Sequence, residues 1–238
     1  MMLTLQDLLR TRTAQPPLNK AMYFNGTNAY ISVPSIKLDR DLTIMFLFAP
    51  TNIAKSRQNP VHKKYWADFA ITLETNGSMS AYHGDNVSSG RYFGWIPWPA
   101  STCKNNVWSF PAYVRRAGLR RVEAYVNGSL VNQTTYTIDP VASTDPITIG
   151  TGYAGYFQGY ISTILIYKDY AMTQSQIVHN TINPNNPIRD GLVLWLDARA
   201  CDTSKNICYD LSGNNNHGTM YNVSIVTLSN QIAPGMVM

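Results

Sequence analysis

The sequence predicts an all-β protein, a two-sheet antiparallel β-sandwich with a short N-terminal helix and one short internal helix. Short runs of alternating apolar and polar residues recur along the chain, and Asn-Gly pairs such as Asn25-Gly26 and Asn127-Gly128 follow β-prone segments, as in tight hairpins. The 238 residues are 45% hydrophobic, and sandwiches of this length often form one domain. We therefore expect one large sandwich with a substantial apolar core.

The first strands are predicted within residues 21–33, and the others follow at the spacing of a sandwich. They are expected at 42–48, 68–74, 78–83, 107–114, 121–126, 129–137, 146–150, 159–167 and 192–197. In the hairpin at 121–131, Val122 and Ala124 alternate with Glu123 and Tyr125. One face of this hairpin is expected in the core and the other in solvent or against a partner.

Two helices are predicted outside the strands. Leu5, Leu8 and Leu9 have helical spacing, so residues 1–20 are expected to form an N-terminal arm or short helix. Thr173 and Gln176 have the spacing of a capping box ahead of an apolar pair. This pattern predicts the internal helix, near 173–181.

Charge and hydropathy exclude several partners. The formal net charge of +5 arises because acidic residues are scarce, and an excess of this size is not typical of nucleic-acid binding. No apolar run approaches the roughly 18 residues of a membrane span, and the first 17 residues are too polar for a secretory signal. We expect no nucleic-acid partner and no membrane span.

Three segments carry a family resemblance. They are AMYFNGTNAYISVPS at 21–35, Trp108 followed by AYVNGSLV at 124–131, and FQGYISTILIYKDYAMTQSQI at 157–177. In this order they resemble the laminin-G-like domains of the concanavalin-A-like lectin/glucanase superfamily. The resemblance covers residues 21–180 and implies a jelly-roll sandwich.

A fourth segment, GLVLWLDARACDTSKNICYDLSGNNNHGTM at 191–220, is similar to the usual N-terminal segment of the family but comes last in this chain. It is either a circularly permuted strand pair that completes the domain, or a strand donated to a neighbouring subunit. We favour permutation, so that residues 21–238 form a single domain and 191–238 complete it.

Catalysis is not expected. The glucanases of the superfamily need two carboxylates on one strand, about 5 to 5.5 Å apart. The only glutamates here, Glu74 and Glu123, are far apart in sequence, and neither has a second acid at the required spacing. The four histidines fit no known catalytic motif. We therefore expect no catalytic residue and no enzymatic activity.

Two surface groups are candidate binding sites. Tyr92, Trp95 and Trp98 lie in a proline-containing stretch, where exposed rings could stack on sugars, close one end of the sandwich or form a subunit contact. A second group could bind sulfated glycans, lipid headgroups or an acidic neighbour, or form a solvated turn. It comprises Arg115, Arg116, Arg120 and Arg121.

The C-terminal segment offers a metal candidate and a disulfide candidate. Asp197, Asp202 and Asp210 supply oxygen ligands that suit Ca²⁺, which many members of the family bind. Alternatively, Asp210 belongs to a turn in which its side chain caps backbone groups. Cys201 and Cys208 flank six residues that a disulfide could close. We expect that the protein requires no cofactor but that it could bind Ca²⁺.

These observations lead to two functional expectations. The first is a non-catalytic structural protein of a virus particle or other extracellular assembly, which associates with itself or with other coat or surface proteins. The alternative is a carbohydrate-binding module for adhesion or receptor recognition. Both place the protein on a virion or an extracellular surface.

Overall fold

A computed structural model describes residues 18–87, 94–229 and 232. Most of the arm or helix expected over residues 1–20 falls in residues 1–17, which lie outside the described residues. Tyr92 also lies outside them. The described residues form sixteen strands and one α-helix, α1, at Gln174–Ile182. The strands are β1 Lys20–Asn25, β2 Tyr30–Val33, β3 Leu42–Pro50, β4 Gln58–Lys64, β5 Phe69–Leu73, β6 Met79–His83, β7 Gly94–Pro97, β8 Pro111–Arg116, β9 Arg121–Val126, β10 Ser129–Thr135, β11 Ile147–Ile149, β12 Gln158–Lys168, β13 Leu192–Asp202, β14 Ile207–Asp210, β15 Gly218–Tyr221 and β16 Ser224–Thr227.

The strands form one continuous antiparallel sheet. Its order is β10-β9-β8-β3-β12-β13-β14-β15-β2-β11-β4-β5-β6-β7, and β1 pairs with both β12 and β16. The two ends of the sheet meet, because Asn132 Nδ2 on β10 donates to the Pro97 carbonyl on β7 at 2.9 Å. The sheet is therefore nearly a barrel, which is consistent with a jelly roll. The two separate sheets that we expected are not found, because the strands are hydrogen-bonded into one continuous sheet.

The C-terminal strands pair with strands from the beginning of the chain. β13 lies between β12 and β14, β15 pairs with β2, and β16 pairs with β1. Residues 192–227 thus belong to the sheet of their own chain.

Two apolar clusters fill the molecule. In the main core, the rings of Phe24 and Phe48 pack on Phe157 at centroid distances of 6.0 and 5.8 Å. A second cluster, which includes Trp108 and Tyr125, packs around α1. The face of the β9 hairpin that we expected in solvent or against a partner is therefore covered by the chain itself.

The helix predicted near 173–181 is confirmed. Gln176 N donates to Thr173 Oγ1, and Thr173 N donates to Gln176 Oε1 at 2.9 Å, which completes the capping box. α1 is nine residues long. Within the described residues, no helix has the length and apolar character needed to cross a membrane.

Candidate functional site

One row of side chains crosses the outer face of five neighbouring strands. The strand register places Thr148, His62, Ala70, Tyr82 and Trp95 side by side on β11, β4, β5, β6 and β7. Directly paired residues of antiparallel strands project to the same face. The residues that alternate with this row are buried in the main core: Ile149, Val61, Ile71, Ala81 and Ile96. The row is therefore on the outside of the sheet.

Tyr153, in the loop between β11 and β12, extends over this row and is 39% exposed. Its ring centroid lies 4.3 Å from that of Tyr65 and 6.5 Å from that of Tyr82. Trp66 packs edge-on against Tyr65 at 4.8 Å, and Trp95 is 47% exposed on β7. We call these five residues, Tyr65, Trp66, Tyr82, Trp95 and Tyr153, the aromatic face.

The loop is held over the sheet by a buried asparagine. Asn59 Oδ1 accepts from Ala154 N at 2.7 Å, while Asn59 Nδ2 donates to the Ile71 carbonyl at 2.9 Å. The loop lies so close to β4 that a Cβ on Gly152 would be 2.5 Å from His62 Cγ. Glycine is needed at this position because any larger residue would push Tyr153 away from the sheet.

Arg57 connects the rings of the aromatic face through hydrogen bonds. Its Nε donates to Glu74 Oε2 at 2.8 Å, and its Nη2 donates to the hydroxyl oxygens of Tyr153 at 2.9 Å and Tyr82 at 3.3 Å. The hydrogen bond to Glu74 raises the Arg57 pKa, so the guanidinium stays charged. The side chain is 45% exposed, and among the residues that the structure describes none accepts from Nη1. Arg57 thus fixes two rings, and its side chain stays partly exposed beside them.

Among the described residues, the ionisable groups of this face are paired or neutral at neutral pH. Burial lowers the pKa of His62 to about 4, although the charge of Asp145 opposes the shift, so the ring is neutral. Lys64 pairs with Asp145 at 3.0 Å, and its ammonium lies 5.1 Å from the centre of the Trp66 ring. Burial also raises the pKa of Tyr82.

The structure separates the predicted glycan contacts. Trp95 lies on the aromatic face, and Tyr92 is outside the described residues. Trp98 is only 2% exposed, packs in the main core, and donates from Nε1 to the Tyr125 carbonyl at 2.9 Å. Of the alternatives open for this stretch, the buried ring of Trp98 therefore fits closure of the sandwich and not contact with a glycan.

The predicted anion-binding arginines do not form a surface patch. Arg115 is completely buried and donates to the backbone carbonyls of Arg40 and Asp68, both at 2.8 Å, and of Leu38. Its charge is enclosed by protein groups and cannot reach a partner. Arg120 is exposed, but it pairs with Asp139 at 3.0 Å.

The other two arginines hold Glu123, which is 2% exposed and not on an open face. Its carboxylate accepts from Arg116 at 2.8 Å, from Arg121 at 2.6 Å and from the Tyr125 hydroxyl at 2.7 Å. Burial acts to raise the Glu123 pKa, but these hydrogen bonds and the charge of Arg116 outweigh it, so the pKa is lowered. These arginines serve an internal ion-pair network.

The three aspartates proposed for calcium have separate partners. Asp197 is buried and pairs with Arg199 at 2.7 Å, and the partly buried Asp202 accepts from Ser204. Between residues 18 and 229, outside 88–93, no group of three His, Cys, Asp or Glu is placed to hold a metal. The predicted set is therefore not brought together as one ligand cluster.

Asp210 organises the segment 210–217. Its Oδ1 accepts from Trp195 N at 2.9 Å, and its Oδ2 accepts from Asn216 N at 3.0 Å and Ser212 Oγ at 2.7 Å. This is the turn-capping alternative of the sequence analysis. Beside it, Cys201 and Cys208 face each other on β13 and β14 and are joined by a disulfide.

The fold and the sequence define the class of protein. The model of the concanavalin A-like lectin/glucanases superfamily matches residues 25–178, which is more than half of the chain. The chain belongs to this superfamily, as the resemblance of its segments implied.

Solved structures show the same fold. A proposed carbohydrate-binding protein from Bacteroides ovatus ATCC 8483 superposes with a TM-score of 0.73 at 17% identity, covering 93% of this chain and 63% of its own. A heptameric SAP-like pentraxin from Limulus polyphemus superposes with a TM-score of 0.50 at 18% identity, and the match covers 74% of this chain and 87% of the pentraxin chain. A mutant of NanB sialidase from Streptococcus pneumoniae superposes with a TM-score of 0.50 at 18% identity, and the match covers 68% of this chain and 28% of the sialidase chain. A search of curated protein sequences finds no match.

Proposed function

We propose that the protein is a non-catalytic carbohydrate-binding module and that its aromatic face is the binding site. The observation that carries this proposal is the pair of exposed rings, Tyr153 and Trp95, beside the partly exposed guanidinium of Arg57, whose Nη1 has no acceptor among the described residues. Sugars combine apolar C–H faces with hydroxyl groups. A site for them needs ring surfaces together with fixed polar groups.

Each part of the face has a role in this proposal. The rings of Tyr153 and Trp95 receive the C–H faces of a sugar, and Arg57 Nη1 donates to a hydroxyl or ring oxygen. Because Arg57 is fixed by Glu74 and by two tyrosine hydroxyls, little side-chain entropy is lost on binding.

Family membership and the Bacteroides neighbour support a lectin-like role. The comparisons reported above give no support to a virion or coat component, which the sequence analysis placed first, so carbohydrate binding takes its place as our leading proposal. Self-association remains an outcome that the experiment below will detect.

The absence of catalysis is part of the proposal. Glu74 is engaged by Arg57, and Glu123 is buried among two arginines and a tyrosine. Carboxylates that are hydrogen-bonded to guanidinium groups in this way serve poorly as general acids. We also propose an extracellular or surface location, since disulfides such as Cys201–Cys208 persist in oxidising compartments.

A glycan array tests the proposal. The purified protein is probed on the array alongside Tyr153→Ala, Trp95→Ala and, as control, Leu119→Ala, which removes a 62% exposed side chain from the β8–β9 connection. We expect wild type and Leu119→Ala to bind the same glycans and the two ring variants to lose the signal. Parallel runs with calcium and with EDTA test for a calcium requirement, and size-exclusion chromatography of the same samples detects self-association. Equal binding by all four proteins, or by none, would overturn the proposal.

A further inference from the structure

A second aromatic pair lies on the same side of the sheet, away from the aromatic face. Tyr30 on β2 and Tyr221 on β15 are directly paired in register, and their rings stack at 4.5 Å with an angle of 11° between planes. Tyr156 packs against Tyr30 at 6.5 Å. Tyr221 is 43% exposed. The stacked pair presents its surface to solvent.

The register connects this pair to the aromatic face. Thr219 pairs with Ser32, Ser32 with Thr148, and Thr148 with His62. The row described above therefore continues without interruption from β7 to β15. The Tyr153 ring lies 6.0 Å from that of His62 on β4, two strand steps from β2, and Trp95 is on β7, five strand steps from β2. These steps correspond to about 10 and about 24 Å at the usual strand spacing.

The surface between the two aromatic groups is polar but uncharged. Thr219, Ser32 and Thr148 supply small hydroxyl side chains, and their neighbour His62 is neutral at pH 7 because burial lowers its pKa to about 4. The charges nearest the row are cancelled in ion pairs, Arg57 with Glu74 at 2.8 Å and Lys64 with Asp145 at 3.0 Å. The described residues therefore offer an acidic polymer no excess of positive charge along this path.

We infer that the protein binds a neutral, extended glycan chain that lies across the strands, from the aromatic face to the stacked pair Tyr30–Tyr221. This inference rests on the proposed function, because it names the ligand class of that face. The two groups of rings provide separate stacking positions, and the hydroxyl row between them meets sugar hydroxyls. The distance between the groups is too long for one sugar residue and requires several linked residues.

The first experiment identifies the charge of the ligand. Native affinity electrophoresis is run through gels that contain starch, mixed-linkage β-glucan, xylan or galactomannan, and through gels that contain polygalacturonate or hyaluronan. We expect at least one neutral polymer to retard the protein. The retardation should be the same in 0.5 M salt, because a salt concentration of this order weakens contacts between surface charges but not ring stacking on a neutral sugar. Retardation by the acidic polymers alone would overturn the inference and leave the proposed function intact. If none of the six polymers retarded the protein, both the inference and the proposed function would be overturned.

The second experiment tests the length of the site. Oligosaccharides of two to six residues from the retarding polymer are titrated calorimetrically into wild type, Tyr221→Ala, Tyr153→Ala and the control Leu211→Ala, whose side chain is 38% exposed. We expect affinity to rise up to the longest oligomers. Tyr221→Ala should weaken hexasaccharide binding by about fivefold, as expected for one lost ring contact, and leave disaccharide binding unchanged. Tyr153→Ala should weaken both.

The outcomes separate the two claims. Affinity that is constant from disaccharide to hexasaccharide, or a Tyr221→Ala variant that binds hexasaccharide like wild type, would overturn the extended site. If Tyr153→Ala also bound like wild type, the proposed function of the aromatic face would fail with it. Circular dichroism spectra matched to wild type show that each variant is folded.

Discussion

The Tyr153 hydroxyl accepts a hydrogen bond of 2.9 Å from Arg57 Nη2, although the two residues are 96 positions apart in the sequence. The same nitrogen donates to Glu74 and Tyr82. One guanidinium therefore ties the β11–β12 loop to the β5–β6 turn and to β6. The position of the Tyr153 ring depends on this contact.

Replacing Arg57 by lysine should weaken carbohydrate binding without unfolding the protein. Lysine keeps the charge but lacks the planar fork that reaches Glu74 and two hydroxyls together. Loss of charge-assisted hydrogen bonds of this kind corresponds to roughly a tenfold lower affinity. Isothermal titration with the glycan identified on the array measures the change. Unaltered affinity would show that Arg57 neither positions the rings nor contacts the ligand.

The two tryptophans near β7 should respond in opposite ways to truncation. Trp98→Ala should lower the free energy of unfolding by about 3 to 5 kcal/mol, because it leaves a cavity in the core. Trp95→Ala, at a 47% exposed position, should change it by less than about 1 kcal/mol but remove glycan binding. Urea denaturation of both variants gives the comparison. A stable Trp98→Ala protein would contradict the burial described here.

Asp210 should be important for stability. Asp210→Ala leaves the backbone N–H groups of Trp195 and Asn216 without their acceptor. A cost of about 1 to 3 kcal/mol is expected for groups left unsatisfied in this way. Thermal melts of wild type and variant measure it, and millimolar calcium should leave the wild-type melting temperature unchanged. A calcium-dependent rise that disappears in Asp210→Ala would instead make this residue a metal ligand.

Stability should fall in mildly acidic solution because of His62. Burial lowers its pKa from 6.5 to about 4 in the folded protein, so between these values the unfolded chain binds the proton and the folded chain does not. The stabilisation present above about pH 6.5 is lost as the pH falls toward 4, by up to about 3 kcal/mol. His62→Gln should show a shallower dependence in urea titrations at pH 7, 6, 5 and 4. Parallel pH profiles would rule out this role.

Local signals predicted much of the fold correctly. The Thr173 and Gln176 pair predicted α1 because a capping box acts within one helical turn. Asn127 and Gly128 both adopt positive φ between β9 and β10, as expected for an Asn-Gly hairpin. Such features depend on residues close in sequence and can be recognised without tertiary structure.

Strands β4, β7, β14, β15 and β16 were not among those predicted. β4 contains Pro60 and the buried Lys63, whose ammonium is neutralised by Asp68 at 2.7 Å. A lysine normally indicates solvent, and only the tertiary structure provides its buried partner. Glu123 was assigned to an outward face for the same reason.

The candidate site was only partly predictable. Trp95 belonged to a conspicuous aromatic stretch, whereas Arg57, Tyr65 and Tyr153 come from separate connections that the strand register brings together. A loop tyrosine has no sequence signal that separates it from other tyrosines. The exposed ring and its arginine are recognised only when the sheet is assembled.

Isothermal titration of the Tyr153→Ala variant, beside wild type and Leu119→Ala, tests the central claim most directly. The titrant is the glycan that wild type binds best on the array. We expect at least about tenfold weaker binding by Tyr153→Ala, since both its stacking surface and its contact with Arg57 are lost, and wild-type affinity for Leu119→Ala. Equal affinity of all three folded proteins would contradict carbohydrate binding at the aromatic face.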